Sequence, residues 1–301
     1  MANKDQNIND LSFSAAADTG AHEHWDLIIQ PKGNLLSLNL QEVWKYRDLL
    51  VLFVRRDFVA SFKQTILGPL WHVIQPVLTT VMFLFVFNKV AKIPTDGIPA
   101  VLFYMSGISI WNYFSSCLLG TSGTFVANAG IFGKVYFPRL VIPLSTVASN
   151  MVKLAIQLAL LTIVFIYYGF KGYHFHFSMA LLLIPVLILM MALMGLGLGI
   201  IFSSLTTKYR DFSVLLGFGM QLLMYATPIA YPLSYLQNKS YKWLLDVNPL
   251  TSIIELFRYA LFGKGVFTTA SITYSCVFMV IVVLGGIVLF NKVEKTFIDT
   301  V

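Results

Sequence analysis

From Leu40 onward the chain alternates apolar and polar residues with a helical period. At about 100° per residue, Val43, Trp44, Tyr46, Leu50, Phe53, Val54, Phe58 and Phe62 fall on one half of the helix. Glu42, Lys45, Asp48, Arg55, Arg56 and Lys63 fall on the other. Asn39 followed by Glu42 makes a capping-box-like start. The pattern predicts an amphipathic helix over 39–63 that lies on a membrane surface, with Arg55, Arg56 and Lys63 turned toward lipid headgroups. An elbow follows at Gly68-Pro69, inside the uncharged run Gln64 to Asn88. The stretch RRDFVASFKQTILGPLWHVIQP, Arg55 to Pro76, therefore reads as a surface helix joined by an elbow to a helix that enters a bilayer.

Runs free of charge follow one another to the C-terminus. A span needs about 20 apolar residues, and six are expected at about 69–89, 98–119, 143–168, 179–205, 212–231 and 268–290. The fold class is an all-α polytopic membrane protein, with a transmembrane domain over 64–301. The small, Gly-rich stretch GTSGTFVANAGIFG after the second span predicts a turn and a short helix outside the bilayer core. Lys153 falls within the third span, where its long stem can carry the ammonium toward the cytoplasmic surface. Most of the 21 Lys and Arg lie on the N-terminal side of this arrangement, which predicts both termini inside. The connection 232–264 contains PLTSIIELFRYALF, too apolar for a free loop and too short and charged to cross. It predicts a re-entrant helix region in the outer leaflet, in preference to a cap lying flat. There Glu255 and Arg258, three residues apart, share a face and can pair. Residues 1–38 read as a cytoplasmic tail: 1–24 lack periodicity, and two short apolar runs flank Pro31 to Asn34.

Composition agrees with a bilayer. Of 301 residues, 57% are hydrophobic and 12% charged, against about a quarter charged in soluble domains. The net charge of +7 suits anionic lipid, and no nucleic-acid partner is expected. Cys117 and Cys276 sit in apolar runs and predict buried thiols. No P-loop signature occurs, so ATP hydrolysis is not expected on this chain. Gly195, Gly197 and Gly199 read as small residues for close helix packing. Acidic residues are missing from the six runs, which argues against an ion-coupled carrier. No His, Asp and Glu cluster at one depth suggests a membrane-embedded transferase, and neither His22-Glu23-His24 nor His174 and His176 makes a metal set. The rings Trp111, Tyr113 and Phe114, in an aromatic stretch with Phe103 and Tyr104, are candidates to line a channel, because aromatic faces stack on sugars.

Four stretches in order carry a resemblance: RRDFVASFKQTILGPLWHVIQP, IFGKVYFPRLVIPLS (131–145), TTKYRDF (206–212) and NPLTSIIELFRYALFG (248–263). From about Leu40 to the C-terminus the chain resembles ABC-2 type permeases of the polysaccharide exporter branch, departing at Ser61-Phe62, where that branch often has Arg-Tyr. The resemblance implies a half-transporter in a bacterial inner membrane. Two copies form the pore as a homodimer, and two copies of a separate ABC ATPase, carrying ATP and Mg, dock on the cytoplasmic side. The implied substrate is a lipid-linked polysaccharide such as O-antigen. A teichoic-acid-like polymer or a small amphipathic compound are the alternatives. The helix at about Thr124 to Gly133 would be the coupling helix, with Phe125, Asn128, Ile131, Phe132, Lys134 and Arg139 at the ATPase contact.

Overall fold

The structure is a computed structural model describing residues 40–61, 63–132, 134–173, 179–236 and 242–300, with Leu40 and 293–300 as backbone only. The tail 1–38, Asn39, Phe62, Gly133, His174 and His176 lie outside the described residues.

The described chain is helical, without strands. The surface segment forms two helices, α1 (Leu40–Lys45) and α2 (Arg47–Ala60), broken at Tyr46. After the elbow, a 3₁₀ turn Gly68–Leu70 leads into α3 (Trp71–Phe83), which continues as a π-helical stretch, Leu84–Val90. Pro69 occupies the start of that turn, where its missing N–H leaves no hydrogen bond unmade. The other elements are α4 (Ala100–Ser122), α5 (Thr124–Ala127), α6 (Ala129–Phe132), α7 (Val141–Phe170), α8 (Ile184–Lys208) and α9 (Phe212–Tyr225). Then come α10 (Lys242–Val247), α11 (Pro249–Phe262) and α12 (Thr269–Thr300).

Four helical stretches are long and apolar enough to cross a membrane: Gly68–Val90, Val141–Phe170, Met179–Lys208 and Thr269–Lys292. The other two expected spans differ for separate reasons. α9 is apolar but has only 14 residues, about 21 Å of helix. α4 is long enough but carries Tyr104, Ser106, Ser109, Asn112, Tyr113, Ser115 and Ser116. It is the central helix, packed against α3, α7, α8, α9 and α11. A helix enclosed by protein has no need of a lipid-compatible surface. Its buried serines bond within the helix: Ser106 donates to the Phe103 carbonyl and Ser109 to that of Met105.

Two glycine contacts fix the approach of α4 to α8. A Cβ on Gly195 would come within 2.8 Å of the Cys117 Cβ, and one on Gly199 within 2.8 Å of the Leu118 carbonyl oxygen. Gly197 faces the other way, where a Cβ would meet Val282 of α12 at 2.8 Å. The GLGLG run thus packs α8 between two neighbours, by the mechanism its small residues suggest. Thr206 strengthens the α4 contact by donating to the Ser122 carbonyl.

α2 lies on α7. Val43, Tyr46, Leu49, Leu50 and Phe53 pack with Phe137, Val141 and Ile142. Part of the apolar half read from the sequence therefore faces the chain's own protein, and Trp44, from that same half, lies outside the contact, 69% exposed. The receiving surface is the start of α7 and the segment before it. A second stripe, Val51, Leu52, Arg55 and Val59, is exposed on the far side of α2.

Replacing Gly199 with Leu forces α4 and α8 apart. Overpacking of this kind should lower stability by about 1–3 kcal/mol, seen as a lower unfolding midpoint of the purified chain. Gly217→Leu, where a Cβ meets nothing within 4 Å, should leave it unchanged.

Candidate functional site

Two constellations stand out, one buried among the helices and one where the surface helices meet the α5–α6 segment. The buried one is built on α11. Asn248 caps this helix by accepting from the Leu250 N–H at 3.0 Å, Pro249 takes the first position, and Gly263 closes it with a left-handed φ of 68°. The Asn248 amide also donates to the Ala226 carbonyl and to Thr227, tying α11 to the end of α9. α11 is buried on nearly every side.

Glu255 and Arg258 are each 1% exposed and paired, Nη1 to Oε1 at 3.2 Å. The guanidinium also donates to the Pro228 and Ile229 carbonyls, and its carbon lies 3.7 Å from the centroid of the Phe103 ring on α4. Glu255 accepts from the Val266 N–H at 2.9 Å. Four segments meet on this pair: α11, the 226–230 connection, α4 and the 263–268 loop. A Cβ on Gly107 would come within 2.8 Å of the guanidinium, so the absence of a side chain there makes room for the charge. Of this set the sequence reading joined only the two charged residues, and it placed Phe103 in an aromatic stretch without linking it to them. Phe103, Gly107, Pro228 and Ile229 are far from them in the chain, and only the odd glycine in an aromatic helix hinted at a neighbour.

The second constellation is a row of rings. Phe290 of α12 meets Phe125 of α5 at 5.7 Å between centroids, and Phe125 meets Phe132 at 5.8 Å. Phe132 stacks on Phe137 at 5.8 Å, and Phe137 meets Phe53 of α2 at 5.8 Å. Arg139 lies over Phe132 and Arg56 over Phe53, at 5.6 and 4.6 Å. Arg56 also pairs with Asp57 at 2.8 Å and reaches the Asn128 side chain at 3.5 Å. The expected coupling residues thus divide. Phe125 is buried, while Asn128, Ile131, Phe132 and Arg139 are half-buried against α2 and the helix ends, and Lys134 is exposed. The outward apolar surface belongs to residues not singled out from the sequence: Val126, Val135 and Tyr136, more than half exposed at 59%, 58% and 56%.

Arg55 and Lys63 are exposed and separate from both constellations. Trp111, Tyr113 and Phe114 are enclosed in the core around α4. In this conformation protein covers their faces, and a channel lined by them requires the neighbours of α4 to move aside. Among the described residues no three His, Cys, Asp or Glu side chains converge as metal ligands would.

Membrane-length helices around an enclosed polar helix, with a braced segment at one end, define a membrane transport protein in class. Residues 48–262 match the ABC-2 type transporter family, and the chain belongs to it. It is 30% identical over 252 residues to an O-antigen export system permease protein RfbA of Klebsiella pneumoniae, covering 84% of this chain and 94% of that one. It is 26% identical to the RfbA permease of Myxococcus xanthus, over 73% of this chain and 82% of that one. It is 23% identical to the polysialic acid transport protein KpsM of Escherichia coli, over 81% and 93% of the two chains.

Removing one partner of the buried pair leaves the other charged and unpaired, which costs about 3–5 kcal/mol. Arg258→Ala should therefore lower the unfolding midpoint of the purified chain sharply. The double variant Glu255→Gln with Arg258→Met, which removes both charges, should recover a large part of that loss.

Proposed function

We propose that this chain is the membrane permease subunit of an ATP-driven exporter that carries a lipid-linked polysaccharide of the O-antigen kind across the bacterial inner membrane. The observation that carries the reading is the 30% identity to an O-antigen export permease over nearly its whole length. The likeness to a polysialic acid transport protein supports a polymer over a small amphipathic compound.

In this reading the chain crosses six times with both termini inside. α4 and α9 are the second and fifth spans, sheltered or shortened because neighbouring helices share the crossing. α1 and α2 lie at the cytoplasmic surface, where the exposed stripe Trp44, Val51, Leu52 and Val59 meets lipid beside Arg55. α11 is the re-entrant element of the outer leaflet, and its nearly complete burial supports this, since such backbone is tolerated where protein covers it. Two copies of the chain form the pathway. Two copies of a separate ATPase, holding ATP and Mg, dock on residues 124–136. The buried row of rings stiffens that segment, and Val126, Val135 and Tyr136 make the contact itself.

Deleting the gene should abolish polymer on the cell surface, with lipid-linked polymer accumulating inside. Full surface polymer in the deletion strain would overturn the reading. Val126→Asp and Tyr136→Asp should each weaken ATPase association by about 2 kcal/mol, roughly thirtyfold, measured by co-purification. The unfolding midpoint of the permease alone should not change, because both side chains are already exposed.

A further inference from the structure

We infer that Lys153, His72 and Asn150 form a binding site for a lipid phosphate between α2, α3 and α7. The inference rests on the exporter reading for its preferred ligand, the phosphate of the glycan's carrier lipid.

Lys153 is the sole charged residue of α7, a helix of 30 residues. It stands twelve residues after Val141, about 18 Å along the helix axis. An ionised group at such a place in a spanning helix is costly and is retained where it serves a pathway or a ligand. The protein meets this charge only in part. The ammonium donates to the Asn150 side-chain oxygen at 3.1 Å. Among the described residues no carboxylate lies within ion-pair distance of it. Asp57 of α2 is within electrostatic range, but that carboxylate is already held by Arg56 at 2.8 Å.

A second hydrogen-bonding group, an imidazole ring, lies nearby. His72 of α3 is within electrostatic range of Lys153. Its Nε2 lies 3.3 Å from the Ser61 hydroxyl, and its ring stacks on Phe58 of α2.

The missing partner is an anion with several acceptor oxygens, since one phosphate can accept from an ammonium, an imidazole N–H and an amide together. It arrives on a lipid, because the approach is apolar. Lys153 is only partly buried, and the exposed neighbours in the chain, Val152 on α7 and Leu70 and Trp71 just before His72, are apolar. Arg55 and Lys63, also exposed, add positive potential at the end of α2 nearest α3.

The test uses the full chain with its ATPase in phosphatidylcholine nanodiscs, without ATP or polymer. Binding of undecaprenyl phosphate and of phosphatidylglycerol is titrated separately. Lys153→Met should weaken undecaprenyl phosphate binding about tenfold or more, and His72→Gln should weaken it in the same direction. Lys153→Arg should retain it, and phosphatidylglycerol should bind weakly to every form. Equal loss of both lipids in Lys153→Met would support the site and assign it to bulk anionic lipid. Unchanged binding of both lipids in Lys153→Met and His72→Gln would overturn the inference. The two variants stand independently should one fail to assemble. Surface polymer is not the readout, so failure of the site and failure of the exporter reading are told apart.

Discussion

A guanidinium shut away from solvent holds the α11 end of this molecule together. Arg258 cannot be buried without Glu255, and the pair cannot be buried without the carbonyls of Pro228 and Ile229 and the N–H of Val266. Satisfying those groups draws the 226–230 connection, the 263–268 loop and α11 around one point. The Phe103 ring and the gap at Gly107 bring that point onto α4. Buried this deeply, the charge has little water to make good a missing partner, and of the guanidinium nitrogens only Nε goes without one. This accounts for a short helix with almost no exposed face that stays in place beside membrane-length neighbours.

Much of the architecture was legible because lipid imposes a simple rule on sequence. Charge-free runs of sufficient length marked the first, fourth and last expected spans, and a run broken only by Lys153 marked the third; each is an apolar helix long enough to cross. GLGLG announced close packing, and the spacing of Glu255 and Arg258 announced a pair. α4 was harder to read because its surroundings are protein. Its serines, tyrosines and Asn112 follow the rule of a buried core and not that of a lipid face. The apolar half of α2 was visible as a face, but nothing local in the sequence indicated that Phe137, Val141 and Ile142 would receive much of it. The partners of the candidate sites were hidden for the same reason. Phe53 with Phe137 and Phe125 with Phe290 are contacts between distant parts of the chain, and periodicity reports only on neighbours.

The two constellations use different physics at opposite ends of α4. Directional bonds to a single charge fix the loops around α11. At the α5–α6 segment, ring faces meet in succession and pass from α12 to α2 with few hydrogen bonds between them. Contacts of that kind keep their energy when neighbouring elements slide by a fraction of a ring, whereas the Arg258 bonds do not. One end of the molecule is suited to small displacement and the other to holding its shape.

Between α2 and α3 the chain turns through Gln64 and Gly68, both left-handed, at φ 67° and 53°. A side chain at Gly68 would touch nothing within 4 Å, and Lys63 to Leu67 are all exposed. The turn itself is set largely by backbone torsion, with the Gly68 N–H donating to the Thr65 hydroxyl, and its two ends are tied by the contacts of His72 with Phe58 and Ser61. A swing of α3 about this joint would break no contact that anchors α2 to α7. At the cost of its own contacts with α4, α7 and Phe58, α3 can thus change its tilt while the seat of α2 on α7 stays fixed, as a door turns on a post.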